Sequence, residues 1–261
     1  PLKGTSDTYH FTLPTGSYTI HARSLGHRVV TATATVTAGQ YTAVNLALPP
    51  APSILFVDSG GWYYGSQASY FRQALDDLGY AYDEWPIKHL PEDLPTANDL
   101  LYYDIVVWSA PQDAPGYTGA ENAVVGYLNG GGRLFLSGQD VGYLDGGGML
   151  FYAHYYHDYL KAQLVRDNAN AWTLEGVAGD IFAGMKITIT GAGGADNQDF
   201  PDEIAVADPD AAAPVFAYRE DSCGGVRVGV CLDYRVVYLS FGFEAINDPG
   251  ARQEVMGRAL E

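Results

Sequence analysis

The sequence has little positive charge. It carries 14 lysine and arginine residues against 31 aspartate and glutamate residues, which gives a formal net charge of −17 at pH 7. A field of this sign repels nucleic acids and anionic membrane surfaces. We therefore expect neither of these partners, and any ligand is expected to be neutral, cationic or a metal ion.

Long apolar runs are also missing. No stretch approaches the roughly 18 apolar residues that cross a membrane, and neither an initiating methionine nor a signal peptide is present. Residues 252–261 have the pattern of a helix still in progress. We interpret the chain as a piece of a longer polypeptide. The abundance of tyrosine, at 20 residues, together with the scarcity of basic residues suits a secreted or cell-surface bacterial protein.

Cysteine is scarce, with only Cys223 and Cys231 in the sequence. An exported protein usually pairs such residues. If residues 226–231 form a continuous strand, however, the two Cα atoms lie roughly 26 Å apart at about 3.3 Å per residue, whereas a disulfide tolerates about 7 Å. Both the bridged and the free state stay open.

Despite these gaps, 47% of the residues are hydrophobic, which is enough for a substantial core. Residues 1–48 alternate apolar and polar positions with turn signals at about ten-residue spacing. This pattern predicts an antiparallel β-sandwich with strands at 9–13, 18–22, 29–36 and 41–48. Residues 49–52, with three prolines, have the composition of a stiff linker.

The segment Gly16–Ala22, followed by Gly26, His27 and a strand rich in threonine and valine, resembles the carboxypeptidase regulatory-like family. The resemblance implies a transthyretin-like sandwich that packs against or spaces other domains and catalyses nothing.

From Ser53 onward the hydrophobic period changes. Continuous apolar runs at 54–57, 105–108 and 134–136 are typical of strands buried on both faces. Helical patterns separate them, one capped by Ser66 and another opened by a capping box of Thr118 and Glu121. The alternation predicts an α/β fold, a flavodoxin-like, doubly wound and mostly parallel sheet over residues 53–261. An insertion at about 141–214 begins with an aromatic-rich helix at 149–165, and a β-meander then completes the sheet. Asp248 and Pro249 open the last helix.

Five segments of this region resemble the class I glutamine amidotransferase-like fold: Ile54–Asp58, Leu78-Gly79-Tyr80, residues 103–109, residues 127–131 and residues 241–244. More closely, the region is similar to amidotransferase-like modules appended to secreted peptidases of subtilisin-like or immune-inhibitor type in thermophilic bacteria. The resemblance implies an accessory region of such a multidomain protein, which acts in spacing, folding support or substrate recognition.

The catalytic residues of that family have no counterpart here. Class I amidotransferases carry a cysteine on the turn after the strand equivalent to 134–137, and a late histidine and glutamate. This chain has Leu136, Ser137 and Gly138 at the turn, and no histidine follows His157. We therefore predict no catalytic residue. The alternative is a hydrolase or amidotransferase that uses Ser137 as nucleophile, with His154 or His157 as a nonstandard base and Glu244 nearby.

Several residues are candidates for ligand binding. Asp58 and Asp140 follow strands and, with Glu244, could form a carboxylate cluster that needs a cation. The aromatic run Trp62, Tyr63 and Tyr64 follows the first parallel strand, where its rings either stack on sugars or peptide, as in a glycan-binding module, or pack against the insertion.

Two further groups of residues, a histidine pair and a set of aspartates, could bind a metal ion. His154 and His157 are spaced to share one helical face and could hold zinc, but no further ligand completes the set. A loop-rich segment is crowded with aspartates that could bind calcium, although their spacing is not that of an EF-hand. We expect no cofactor, with calcium as the alternative. The aspartates are Asp196, Asp199, Asp202, Asp208 and Asp210.

Overall fold

The structure, a computed structural model, describes residues 8–149 and 152–261. The N-terminal part forms a two-stranded antiparallel sheet of β1 (Gly16–Ala22) and β2 (Val30–Val36). The strands expected at 9–13 and 41–48 are wrong, because neither segment pairs with an edge of this hairpin. Of the predicted sandwich over 1–48, residues 1–7 lie outside the described residues.

The remaining chain contains eleven strands and seven helices among the described residues. The strands are β3 (Ile54–Asp58), β4 (Tyr82–Pro86), β5 (Ile105–Ser109), β6 (Arg133–Ser137), β7 (Ala162–Arg166), β8 (Thr173–Gly176), β9 (Lys186–Thr188), β10 (Glu203–Val206), β11 (Ala212–Arg219), β12 (Ser222–Val228) and β13 (Arg235–Leu239). The helices are α1 (Ala68–Asp77), α2 (Ala97–Leu100), α3 (Pro115–Thr118), α4 (Glu121–Asn129), α5 (Val141–Asp145), α6 (His154–Asp158) and α7 (Pro249–Leu260). None of these helices is long and apolar enough to cross a membrane.

All eleven strands form one mixed sheet. Its order is β4-β3-β5-β6-β13-β12-β11-β8-β9, with β10 pairing β12 and β7. The first five strands are parallel, and the rest pair antiparallel. The predicted α/β class, with a large sheet preceded by a small antiparallel N-terminal part, is therefore confirmed.

Both faces of the parallel part are covered. Every residue of β3 is buried, with Ile54 and Phe56 in one hydrophobic cluster and Leu55 and Val57 in another. Successive strand residues point to opposite faces, so the continuous apolar run reflects two cores. Helices α1 and α7 contribute to the first cluster, and α2 and α4 contribute to the second.

The local signals at the helix ends had mixed outcomes. Asp248 caps α7 by accepting a hydrogen bond from Ala251 N, and Pro249 is its first residue, as predicted. The capping box of Thr118 and Glu121 is wrong, since Thr118 ends α3 and Ala120 precedes α4. In α1 the N-cap is Gln67, one residue after the predicted Ser66.

The predicted helix over 149–165 is also wrong. Within the described residues of this stretch, only α6 is helical, and the chain then enters β7. Tyr155 and Tyr156 are buried against the second cluster, while His154 and His157 face outward. Strand β7 is set by its pairing with β10, some forty residues later, which a local pattern does not reveal.

Candidate functional site

The carboxyl ends of four parallel strands form one edge. Asp58 of β3, Ser109 of β5, Ser137 of β6 and Leu239 of β13 stand in register across the sheet. Ligands of open α/β sheets bind just beyond such an edge. A ligand is therefore expected among the segments that follow these strands.

Ser137 is fully buried at this edge. Its Oγ donates a hydrogen bond to the carbonyl of Phe241 at 3.0 Å and accepts one from Phe243 N at 2.6 Å. Both bonds tie the end of β6 to the chain beyond β13. The hydroxyl is thus engaged with backbone and shielded from solvent, whereas a nucleophile needs a base and an accessible face.

The two histidines proposed as its base lie on the exposed side of α6. The ring of His154 packs edge-on against Tyr152, with centroids 5.5 Å apart, and His157 Nδ1 is 3.2 Å from Asp158 Oδ1. Neither is a hydrogen-bond partner of Ser137. Nor does the described part of the chain gather three or more histidine, cysteine or acidic groups able to hold a metal ion.

Glu244 lies on a 3-10 helix, Phe243–Ala245, and is fully buried. Its Oε1 accepts a hydrogen bond from Asn197 Nδ2 at 2.9 Å, while Oε2 has no partner. Burial raises the pKa of this carboxyl, and the charge of Asp58 adds to the effect. Asp58 accepts hydrogen bonds from Gly60 N at 3.3 Å and Ser66 Oγ at 2.5 Å. The two groups share one part of the edge, but Asp140 faces the insertion instead, so the predicted three-carboxylate cluster is divided.

The five aspartates considered for calcium do not converge. Asp196 accepts hydrogen bonds from Thr190 Oγ1 and Gly191 N, and Asp208 pairs with Lys161 at 3.4 Å. Asp202 is buried and accepts from Gly142 N at 2.7 Å and Tyr143 N at 3.3 Å. Asp199 and Asp210 are exposed. Because three of the carboxylates have separate protein partners, they act as local braces in the insertion.

The aromatic turn after β3 is held by a buried acid. Trp62 Nε1 donates to Asp113 Oδ2 at 2.6 Å, and Ser59 Oγ donates to Asp113 Oδ1 at 2.8 Å. Burial raises the pKa of Asp113 to about 7. Asp113 was missed by the sequence analysis, although it follows β5 as Asp58 ends β3. It fixes the indole that supports the two tyrosines.

The two tyrosines of the turn are exposed. Tyr63 stacks on Trp62 with centroids 5.3 Å apart and an interplanar angle of 29°, while Tyr64 meets Tyr63 edge-on at 4.3 Å. Their exposed fractions are 67% and 59%. Of the two alternatives for this turn, packing against the insertion does not apply to Tyr63 and Tyr64, and the three rings are not all coplanar.

A cavity of about 330 Å³ lies beside this turn, and we call it the tyrosine cavity. One wall is the turn, and the opposite wall comes from the insertion. Two carboxylates, Asp140 and Asp167, and the amide of Gln112 also line it. Its aromatic lining residues are Tyr63, Tyr64, Tyr117, Tyr143 and Phe200.

Buried polar groups fix the insertion wall. The Gln139 amide oxygen accepts from Asp199 N at 2.8 Å and Phe200 N at 3.1 Å, and its Nε2 donates to the carbonyls of Pro111 and Asn197. Asp202 holds the main chain at Tyr143 in the same manner. The backbone at Tyr143 and at Phe200 is thus fixed by hydrogen bonds, which position the two aromatic rings of this wall. The sequence analysis missed Gln139, although its place directly after the Ser-Gly turn was a signal.

Asp140 and Asp167 are the polar feature of the tyrosine cavity. Neither carboxylate accepts a hydrogen bond from a described residue, and Asp140 precedes α5 without capping it. Burial raises the pKa of Asp140 to about 7, and the charges of Asp167 and Asp199 contribute. Burial also raises the pKa of Asp167. Two half-buried acids thus face one cavity without a positive partner.

A second cavity, of about 540 Å³, lies at the ends of β3 and β4. Its charged groups are largely paired within the protein. Arg72 binds Glu84 through two hydrogen bonds of 2.8 and 2.7 Å, and His89 Nδ1 is 3.3 Å from Asp93. Asp58 at its base is hydrogen-bonded as described above. The cavity therefore offers fewer unsatisfied groups to a ligand.

Both cysteines are free. Cys223 lies on β12 and its thiol contacts the Gly225 carbonyl at 3.0 Å, while Cys231 is exposed in the following turn. Burial raises the pKa of Cys223 to about 11. The extended strand that separates the two residues is the reason expected from the sequence.

No protein-family model and no curated protein matches the chain. A solved structure of a ThuA-like protein from Bacteroides uniformis superposes with a TM-score of 0.50 at 10% identity, covering 79% of this chain and 88% of that one. A β-galactosidase from the Antarctic haloarchaeon Halorubrum lacusprofundi gives 0.49 at 14% identity, and the match spans 79% of this chain but only 30% of that one. The first similarity supports the class I glutamine amidotransferase-like fold for the α/β part.

Proposed function

We propose that the chain is a non-catalytic recognition module that binds a saccharide in the tyrosine cavity. The observation that carries this proposal is the pair of exposed tyrosines, Tyr63 and Tyr64, held over a cavity that also presents carboxylate and amide groups. Aromatic faces bind the apolar faces of pyranose rings, and a few polar groups fix the hydroxyls.

The state of Ser137 supports a role without catalysis. Its hydroxyl bridges two backbone groups and is fully buried. A hydrolase at this edge would need that hydroxyl free, next to a base. The aromatic turn, by contrast, is accessible to a ligand, because Trp62 is held by its hydrogen bond to Asp113 and the neighbouring tyrosine rings are exposed to solvent. Such preorganisation favours binding.

The wider setting of the module is part of the same proposal. The strand order β4-β3-β5-β6-β13 supports the flavodoxin-like, doubly wound topology that we propose for this part, because the same 2-1-3-4-5 order occurs in that fold. We propose that the module belongs to a longer secreted protein, a peptidase as the sequence resemblance implies, and delivers substrate recognition to it. The reading frame around this chain tests that setting, because a neighbouring peptidase domain is required.

Binding is tested by titrating the full chain with β-1,4-linked tetrasaccharides and following heat and tyrosine NMR signals. We expect saturable binding that Tyr64→Ala weakens about tenfold, a loss of about 1.4 kcal/mol. Tyr102→Ala is the matched control, since Tyr102 is 82% exposed but precedes β5, at the opposite edge of the sheet. Equal losses in both variants, or no binding by the wild type, would refute the proposal.

A further inference from the structure

Two acids in the tyrosine cavity lack any compensating charge. Asp140 and Asp167 both line it, and after burial the charges of Asp167 and Asp199 raise the pKa of Asp140 further. Like charges held in a partly desolvated site favour either a proton or a cation between them. Within the described ranges no lysine, arginine or histidine pairs with either carboxylate.

The surroundings favour an organic cation over a metal ion. Calcium takes six to eight oxygen ligands, and the described residues bring no three metal-binding groups together anywhere. Aromatic rings, by contrast, attract ammonium groups through their faces, within about 6 Å of the ring centroid. Burial and then nearby charges, that of Asp140 among them, raise the pKa of Tyr64, and Tyr117 and Tyr143 line the same space.

The geometry points to an amino sugar as the ligand: a saccharide whose free, protonated amine binds between Asp140 and Asp167 while its ring packs on the tyrosines. This inference rests on the proposed function and names its ligand class. Neutral saccharides use the same aromatic wall but offer only hydroxyls to the two carboxylates, which leaves the negative charge uncompensated. The negative charge of the whole chain acts in the same direction, because it raises the local concentration of cationic ligands.

Three tetrasaccharides with the same linkage separate the contribution of the amine to binding from that of the sugar rings. The probes are the β-1,4-linked tetramers of glucosamine, N-acetylglucosamine and glucose, which carry an amine, an acetamide or a hydroxyl at the same carbon. Titration calorimetry of the full chain near neutral pH should show the glucosamine tetramer binding about tenfold more tightly than the glucose tetramer. Lysine carrying blocked termini is a fourth probe, which presents the ammonium without a sugar ring.

Aspartate variants test whether the preference for the glucosamine tetramer arises at Asp140 and Asp167. Asp140→Asn and Asp167→Asn should each reduce the ratio of the affinity for the glucosamine tetramer to that for the glucose tetramer at least threefold, whereas Asp210→Asn, which changes an exposed aspartate, should leave that ratio unchanged. Urea unfolding of each variant confirms that it is folded. Tyr64→Ala should weaken all tetrasaccharides alike.

Each remaining outcome has a distinct meaning. Equal affinity for the amine and hydroxyl tetramers overturns the inference and leaves the proposed function intact. Binding of none of the tetramers refutes the proposed function itself. A preference that survives in both Asp→Asn variants, or that Asp210→Asn also abolishes, shows that the amine is recognised elsewhere or only by the general field. Blocked lysine binding as tightly as the glucosamine tetramer overturns the assignment to a sugar.

Discussion

Ser137 and Ser109 stand opposite each other on β6 and β5, yet their hydroxyls differ in surroundings. Ser137 Oγ bridges the Phe241 carbonyl and the Phe243 amide, whereas Ser109 Oγ is buried with no partner. Replacing Ser137 by alanine strands a buried N–H, which costs about 1–3 kcal/mol. We expect Ser137→Ala to lower the free energy of unfolding in urea by that amount, and Ser109→Ala to leave it nearly unchanged.

The Ser137→Ala variant also tests the prediction that the chain has no catalytic activity. Wild type and Ser137→Ala should show equal, background-level turnover of glutamine and p-nitrophenyl esters and no labelling by a fluorophosphonate. Labelling of the wild type that disappears in Ser137→Ala would instead support the hydrolase alternative, and would mean that the hydroxyl leaves its two backbone partners in solution.

Asp140 links the tyrosine cavity to stability. Its pKa is raised from 3.8 to about 7, chiefly by burial, with Asp167 and Asp199 adding to the shift; Tyr64 and Asp202 are further neighbours. A carboxyl with a raised pKa in the folded state is most favourable below its unfolded pKa, and that stability is lost as pH rises through about 7. We expect Asp140→Asn to match the wild type at pH 4 and to exceed it by about 1–2 kcal/mol at pH 8.

Urea unfolding at pH 4, 6 and 8 measures this difference, with Asp210→Asn as a control whose offset should not change with pH. An offset for Asp140→Asn that is the same at pH 4 and pH 8 would contradict the burial of an ionisable carboxyl there. A variant that gains stability while losing the amine preference would identify Asp140 as a residue kept for binding.

At the residue scale, the sequence predicted which residues lie at the edge of the sheet better than it predicted their hydrogen-bond partners. Asp58, Asp140 and Glu244 could be placed at one edge because all follow apolar runs in parallel strands. Gln139 and Asp113 could not be assigned their contacts, since these reach segments as distant as residues 197–200 and Trp62. Hydrogen bonds between segments far apart in sequence leave no local pattern.

The elements of the parallel sheet were predictable for a physical reason. Strands covered on both faces must be apolar throughout, and β3, β5 and β6 show this directly. In the insertion, β7 has only one fully buried residue, Ala162, and its partner β10 is remote. Its existence depends on tertiary pairing, so the aromatic pattern around it favoured a helix that the fold does not form.

The turn between β6 and α5 depends on one glycine. A Cβ at Gly138 would lie 1.9 Å from the Ala110 carbonyl oxygen, a backbone atom that cannot move away without disturbing β5. We expect Gly138→Ala to destabilise the protein by about 3 kcal/mol, because overpacking against backbone is poorly relieved. Thermal unfolding monitored by near-UV circular dichroism measures the loss.

Gly257→Ala in α7 is the matched control for that substitution. There the added Cβ would meet only the end of the Leu78 side chain, at 3.3 Å, and alanine is favoured over glycine in a helix by up to about 1 kcal/mol. We expect it to be neutral or stabilising. A Gly138→Ala variant as stable as Gly257→Ala would mean that the β6–α5 turn is not packed against Ala110.

At the scale of the whole molecule, the hairpin of β1 and β2 is attached to the large sheet through its connecting loop. Val29 N donates to the Gly79 carbonyl at 2.8 Å, and Arg28 forms a bridge with Tyr80. The predicted linker takes part as well, since the Pro49 carbonyl accepts from Arg28 N and Ala51 N donates to Gly26. Whether residues 1–48 and 53–261 separate at 49–52 stays a prediction, and this bonding moves the expected weak point to residues 37–48.

Two arginines of the connecting loop contact the large sheet, Arg23 at Tyr82 and Arg28 at Tyr80, and Arg28 lies nearer to its ring. Its guanidinium carbon lies 3.5 Å from the centroid of the Tyr80 ring, and its Nη1 donates to the Leu78 carbonyl. Together the two contacts are worth about 1–2 kcal/mol, so Arg28→Ala should raise the equilibrium constant for local opening of the hairpin about five- to thirtyfold.

In the Arg28→Ala variant, proteinase K should cut residues 37–48 faster by the same factor and leave a resistant fragment that begins near Ser53. Lys186→Ala, which removes only an exposed ion pair with Glu175, should not change the rate. If Arg28→Ala is cut at the wild-type rate, the backbone bonds and Arg23, whose guanidinium donates to the Tyr82 carbonyl, hold the hairpin without Arg28. If the large domain is digested at the same rate as residues 37–48, the two parts unfold as one cooperative unit.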